Sequence, residues 1–313
     1  MRRLAVLVLA AAFAGAAAAV DLARLDYALS ARSLAPGVWV VEGANADFSP
    51  ANGCNIINTG FIATGAGVLV INTGPSKRYG EQLRALIAKT TNEPVVQVLH
   101  LNLHPDYFLG NQAFADVPRL ATDSTRAGMA REARAYEDNL YRLCGDWMKG
   151  TEAVLPSGTV SLGPLRLGTR ELMLREYAGH TDSDLVLIDK ASGVVFAGGL
   201  VFAQRVPTTP HAQLGVWLQS LQAFAALPLK TLVPSHGPVR SDASAVAETQ
   251  RYLQWLDRSF RVLAEQGAEV NEVLRAEVPA EFRGWAAFGT EYTRNVAHLY
   301  PRYEAAVLRG TRP

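Results

Sequence analysis

Three histidines and one aspartate in this chain sit in turns whose composition suits metal chemistry. His104 and Asp106 lie two residues apart in Leu101-Asn102-Leu103-His104-Pro105-Asp106-Tyr107. His180 stands in Gly179-His180-Thr181-Asp182-Ser183-Asp184-Leu185, and His236 in Val233-Pro234-Ser235-His236-Gly237. Neutral imidazole and a carboxylate form a ligand set that zinc accepts, and side chains two apart converge where a strand ends in a turn. One ion drawing on His104, Asp106, His180 and His236 would lower the pKa of a bound water and polarise a carbonyl or ester oxygen. Asp106 would then orient or deprotonate that water, and the Tyr107 hydroxyl would donate to a substrate oxygen. Asn102 reads as a pocket residue, Arg205 as an anion contact and His211, in a Pro-rich loop, as part of the rim. His100 is read as a satisfied core residue or a substitute ligand. His298, on a C-terminal helix, is assigned to packing.

These turns need strands to end in them. Val38 to Val41, Cys54 to Ile62, Val68 to Ile71 and Val95 to Leu99 read as strands, the third fully buried by its unbroken apolar run. The His104 turn follows the last of these. Further strands are expected at residues 165–168, 171–175, 185–188, 194–196 and 231–233. Helices are expected at residues 81–89, 122–148 and 216–227. Beyond residue 240, Leu253, Leu256, Phe260 and Leu263 recur at helical spacing, as do Val296, Leu299, Tyr303 and Ala306. Strands interleaved with helices indicate a layered α/β protein. Three segments follow: a signal peptide at residues 1–19, a catalytic-type domain at 20–240 and a helical C-terminal extension packed on it at 241–313. Residues 21–35 read as a mobile leader.

The 313 residues, 49% of them hydrophobic, are enough to bury a large core. Arg2-Arg3 before an apolar Ala-, Leu- and Val-rich run, with Ala17-x-Ala19 as the cleavage site, has the form of a secretory signal. The run is too short for a membrane anchor, and export to a bacterial periplasm is expected. With 30 basic and 29 acidic residues and no basic cluster, neither nucleic acid nor an anionic membrane is expected as a partner. The partner expected is a small molecule. Cys54 and Cys144 either pair in the oxidising compartment or remain buried thiols; spacing alone does not decide.

Taken together, these turns resemble those of the metallo-β-lactamase superfamily, whose His-x-His-x-Asp-His motif follows a hydrophobic strand. The resemblance implies a four-layer αββα sandwich. Residues 58–75, Phe108-Leu109-Gly110-Asn111-Gln112, Gly145-Asp146-Trp147-Met148, Arg205-x-Pro207-Thr208-Thr209-Pro210-His211 and Ala297-His298-Leu299-Tyr300-Pro301-Arg302 are similar to the quinoprotein relay system zinc metallohydrolases. Those are exported proteins associated with pyrroloquinoline-quinone (PQQ)-dependent alcohol oxidation. Against the superfamily pattern, Asn102 and Tyr107 replace His, while Asn72 and Gly199 replace Asp. In the superfamily the first of those aspartates orients a ligand imidazole and the second bridges two metals. A full dinuclear centre is therefore not expected: one zinc ion or none. Two classes of function follow, a metal-dependent hydrolase or a non-catalytic accessory or ligand-binding protein of a periplasmic quinoprotein dehydrogenase system.

Overall fold

The computed structural model describes residues 25–311. The signal segment at residues 1–19 lies outside them. The first sheet runs antiparallel through β1 (Arg32–Ala35), β2 (Val38–Val41), β3 (Thr59–Ala63) and β4 (Val68–Ile71). It continues parallel through β5 (Val95–Leu99), β6 (Arg119–Ala121) and β7 (Gly158–Thr159). The second sheet comprises β8 (Gly163–Leu167), β9 (Arg170–Tyr177), β10 (Asp184–Asp189), β11 (Val194–Phe196) and β12 (Thr231–Val233). Its neighbours are antiparallel except for the parallel pair β11–β12. The helices are α1 (Lys77–Thr90), α2 (Pro105–Phe108), α3 (Asp123–Cys144), α4 (Leu214–Ala225), α5 (Ser244–Glu265), α6 (Val270–Val273), α7 (Ala280–Arg283) and α8 (Phe288–Arg309).

Period-two alternation explains the layering. In β4, Leu69 and Ile71 face inward and meet Leu172, Leu174, Leu185 and Leu187 of the second sheet. Val68 and Val70 face outward onto Tyr79, Leu83 and Ile87 of α1. α1 starts where the Ser76 side chain accepts the Tyr79 N–H, and stops at extended Thr91. On the second sheet, Val186, Val195 and Leu232 face outward onto Trp217, Leu221 and Phe224 of α4. The result is the expected αββα sandwich. The extension joins the same outer core through Leu253, Leu256 and Phe260 of α5 and Val296, Leu299 and Tyr303 of α8.

Two expectations change, and one open alternative is decided. Residues 32–35 are not leader but β1, paired with β2. Tyr27 also packs, 5.2 Å from the Tyr79 ring and 4.4 Å from Trp147. The second strand begins at Thr59, not Cys54. Gly53 and Cys54 both take positive φ, +60° and +63°, which turns the chain instead of extending it. Cys54 and Cys144 form a disulfide, with Cα atoms 6.0 Å apart across 90 residues of sequence. Among the described residues no helix is long and apolar enough to cross a membrane.

Candidate functional site

The chain leaves β5 at Leu99 and turns through Asn102 into α2, where Pro105 occupies the first helical position. Two asparagines set this turn. Asn72 sits in the left-handed region (φ 58°), and its Oδ1 accepts the Leu101 N–H at 3.0 Å. Asn102 Oδ1 accepts the His104 N–H at 3.1 Å. Asn72 therefore has a backbone task at the strand end that needs no imidazole partner.

The four expected ligands come close but sort into two sets. His236 Nε2 lies 2.8 Å from Asp106 Oδ2, and its Nδ1 lies 2.9 Å from Ser235 Oγ. Phe202 stacks on the His236 ring at 5.1 Å. His104 meets His180 edge-on, ring centroids 4.7 Å apart. The Nε2 atoms of both His104 and His180 are buried without a hydrogen-bond partner. Burial and the neighbouring His180, His211 and His236 hold the His104 imidazole well below the usual histidine range. Burial pushes His236 down to about 4 against the opposing pull of Asp106.

Asp184 organises the second set. Its Oδ1 accepts from Asn102 Nδ2 at 2.7 Å and lies 3.2 Å from His180 Nδ1. Its Oδ2 accepts the backbone N–H groups of His180 and Thr181 at 3.2 and 3.0 Å. This network fills the space beside Gly199. A Cβ there would meet His180 Nδ1, with Asp184 Oδ1 at 2.7 Å and Asn102 Nδ2 at 2.8 Å. Among the described residues no three His, Cys, Asp or Glu side chains are arranged to hold a metal ion. Two free Nε2 atoms and a His–Asp pair bonded to itself do not make the three or four converging donors of a protein-bound zinc.

A cavity of about 320 Å³ opens above this floor. His104, Asp106 and His236 line it, together with Phe48 and Ile56 and with Tyr136 and Arg142 of α3. The remaining wall comes from Arg205 and from Glu291, Arg294 and His298 of α8. Arg205 and Glu291 are almost fully buried, with Nη2 and Oε1 3.6 Å apart. Arg294 bridges Glu291 and Asp47, at 3.0 Å each. Glu291 Oε2 has no partner. Burial raises the Glu291 carboxyl, while Arg205 and Arg294 pull it back toward ionisation.

Of the residues singled out in the sequence, His104, Asp106, His236 and Arg205 line the cavity. His180 lies behind them. Asn102 and Tyr107 are fully buried and do not form the cavity wall; Tyr107 Oη has no partner there, and burial followed by the Asp106 charge raises it well above the usual phenol range. His211 stands 5.5 Å from the His104 ring and borders a neighbouring groove. His100 points away, with Nδ1 3.2 Å from the Tyr107 carbonyl. Sequence reasoning missed Asp184, Glu291 and Arg294, and assigned His298 to packing alone. Asp184 carried a signal: a carboxylate opening the apolar run Leu185-Val186-Leu187-Ile188 must be buried and partnered. Glu291 and Arg294 carried none, since only the tertiary fold brings their helix over the site.

Residues 52–236 match the family model described as the metallo-beta-lactamase superfamily. Solved structures agree in fold. A metallo-beta-lactamase from Pontibacter korlensis aligns with a TM-score of 0.59 at 24% identity, covering 72% of this chain and 99% of that one. A metallo beta lactamase from Hirschia baltica aligns with a TM-score of 0.56 at 17% identity, covering 72% and 97%. No curated protein matches the chain.

Proposed function

Because this chain belongs to the metallo-β-lactamase superfamily, we propose that it is an exported member that keeps the superfamily cleft as a small-molecule site without the dinuclear centre. In this reading it serves as a ligand-binding accessory of a periplasmic PQQ-dependent alcohol oxidation system. The observation that carries the first part is the Asp184–His180–Asn102 network in the space beside Gly199. A bridging carboxylate at position 199 would have to displace the side-chain ends of His180, Asp184 and Asn102, and the carboxylate nearest that space, Asp184, is already bonded to its neighbours. The disulfide suits an oxidising compartment, and the signal-type leader suits export. The link to the quinoprotein system rests on the sequence segments that resemble its zinc metallohydrolases.

A second reading draws on the unpartnered Nε2 atoms of His104 and His180: a hydrolase that holds one metal ion. Metal analysis separates the two. Protein purified from metal-replete medium is expected to carry less than about 0.2 ion per chain, too little for a stable structural or catalytic site. Stoichiometric zinc that disappears in His104→Ala and His180→Ala would overturn the binding-protein reading.

A further inference from the structure

The wall that α8 adds to the cavity carries one buried acceptor with nothing bound to it. Glu291 is 3% exposed, lines the cavity, and leaves Oε2 unpartnered. Its Oε1 faces Arg205, itself 1% exposed. Arg205 has five N–H donors, of which Nε goes to the Ala46 carbonyl at 3.2 Å and one Nη1 hydrogen to that of Val206 at 3.4 Å. A buried, unsatisfied carboxylate oxygen is costly unless a ligand or water completes it. His104, which also lines the cavity, has a second buried atom without a partner, its Nε2.

The surrounding charges decide what can complete this pair. An ammonium group would satisfy Glu291 but face the guanidinium groups of Arg142, Arg205 and Arg294. A carboxylate would satisfy the arginines but face Asp106 and Glu291. A hydroxyl can donate to Glu291 Oε2 and accept from Arg205 at no net charge. A second hydroxyl would complete His104 Nε2. The cavity, about 320 Å³, has the size of a small-ligand site.

We propose that Glu291 and Arg205 form a hydroxyl-recognition pair, and that the cleft takes a neutral polyhydroxylated small molecule. This rests on reading the cleft as a ligand site, which the metal analysis tests separately.

Three probes share one six-carbon chain and differ in end-group charge: sorbitol (neutral), gluconate (anionic) and glucamine (cationic). Calorimetric titration into the full mature protein is expected to show sorbitol binding about tenfold or more tighter than either charged analogue. Glu291→Gln is expected to weaken sorbitol binding by about tenfold or more, the cost of a charge-assisted hydrogen bond. If Glu291→Gln fails to fold because Arg205 is left without a counter-charge, Glu291→Gln/Arg205→Met removes both charges together, with circular dichroism confirming the fold. Gluconate or glucamine binding as tightly as sorbitol overturns the proposal, as does either variant binding sorbitol within about twofold of the parent. Absence of binding by all three probes up to about 10 mM also overturns it. The ligand-site reading itself fails only if stoichiometric metal is found.

Discussion

At residue scale, position 199 decides how the site differs from a dinuclear centre. The Gly was readable in sequence; what fills the vacated volume was not, because a missing side chain does not name its replacement. Asp184 and Asn102 hold that space with His180. Gly199→Asp is therefore expected to destabilise the fold by about 2–4 kcal/mol, from overpacking and a second buried carboxylate, without gaining metal. Urea unfolding and metal analysis of the variant check this, and a variant of native stability that binds zinc would refute it. His100 makes a pH prediction. Burial lowers its pKa from 6.5 to about 3, against the raising effect of the Tyr107 carbonyl. Below 6.5 the unfolded chain takes up a proton that the native imidazole refuses, so the unfolded state gains. The stability is full above that value and falls with acidification through the window down to about 3, by up to about 1.4 kcal/mol per pH unit. His100→Gln should flatten this part of the decline in urea midpoints between about pH 6.5 and 4.5. An unchanged slope would show that other groups carry the acid sensitivity.

At element scale, the strands that were legible are those with a continuous or alternating apolar run. β2, β4, β5, β11 and β12 fall where their residues predict. β1, β6 and β7 are two to four residues long and offer no such run; hydrogen bonding to a neighbour defines them. The segment from Cys54 misled because Ile56 and Ile57 look like strand residues, yet they lie buried in irregular chain just after the turn that the positive-φ pair Gly53–Cys54 makes. The disulfide ties that turn to the end of α3. Both partners adjoin the cavity, through Ile56 on one side and Arg142 and Leu143 on the other. Closing a loop this long restricts the unfolded chain strongly. Cys54→Ser/Cys144→Ser is expected to cost about 3–5 kcal/mol in denaturant unfolding. Reductant should shift the parent's unfolding midpoint toward that of the variant, and a midpoint unmoved by both changes would count against the clamp.

At the scale of the molecule, the extension is no appendage. Its helices α5 and α8 bury the outer face of the second sheet together with α4, in one core with Val186, Val195 and Leu232. Asn295 of α8 also binds the loop after β11, donating to the Pro207 carbonyl at 3.0 Å and accepting from Thr209 at 2.7 Å. The same helix carries Glu291, Arg294 and His298 into the cavity wall. Stability and site are thus coupled: the segment that seals the core also shapes the cleft. A chain ending at residue 242 would lose Leu253, Leu256 and Phe260 of α5 and Val296, Leu299 and Tyr303 of α8 from the shared outer core and uncover the apolar surface they pack on. Such an apolar face exceeds what a soluble monomer tolerates. The truncated protein is expected to aggregate or to persist as a loosely packed state that binds ANS and lacks near-UV circular dichroism. The milder Phe260→Ala, which opens a cavity in the shared core, should cost about 3–5 kcal/mol while keeping the cooperative transition. If the truncated chain instead melts cooperatively within about 2 kcal/mol of the parent, the sandwich is self-sufficient, and the extension contributes to the cleft without holding up the fold.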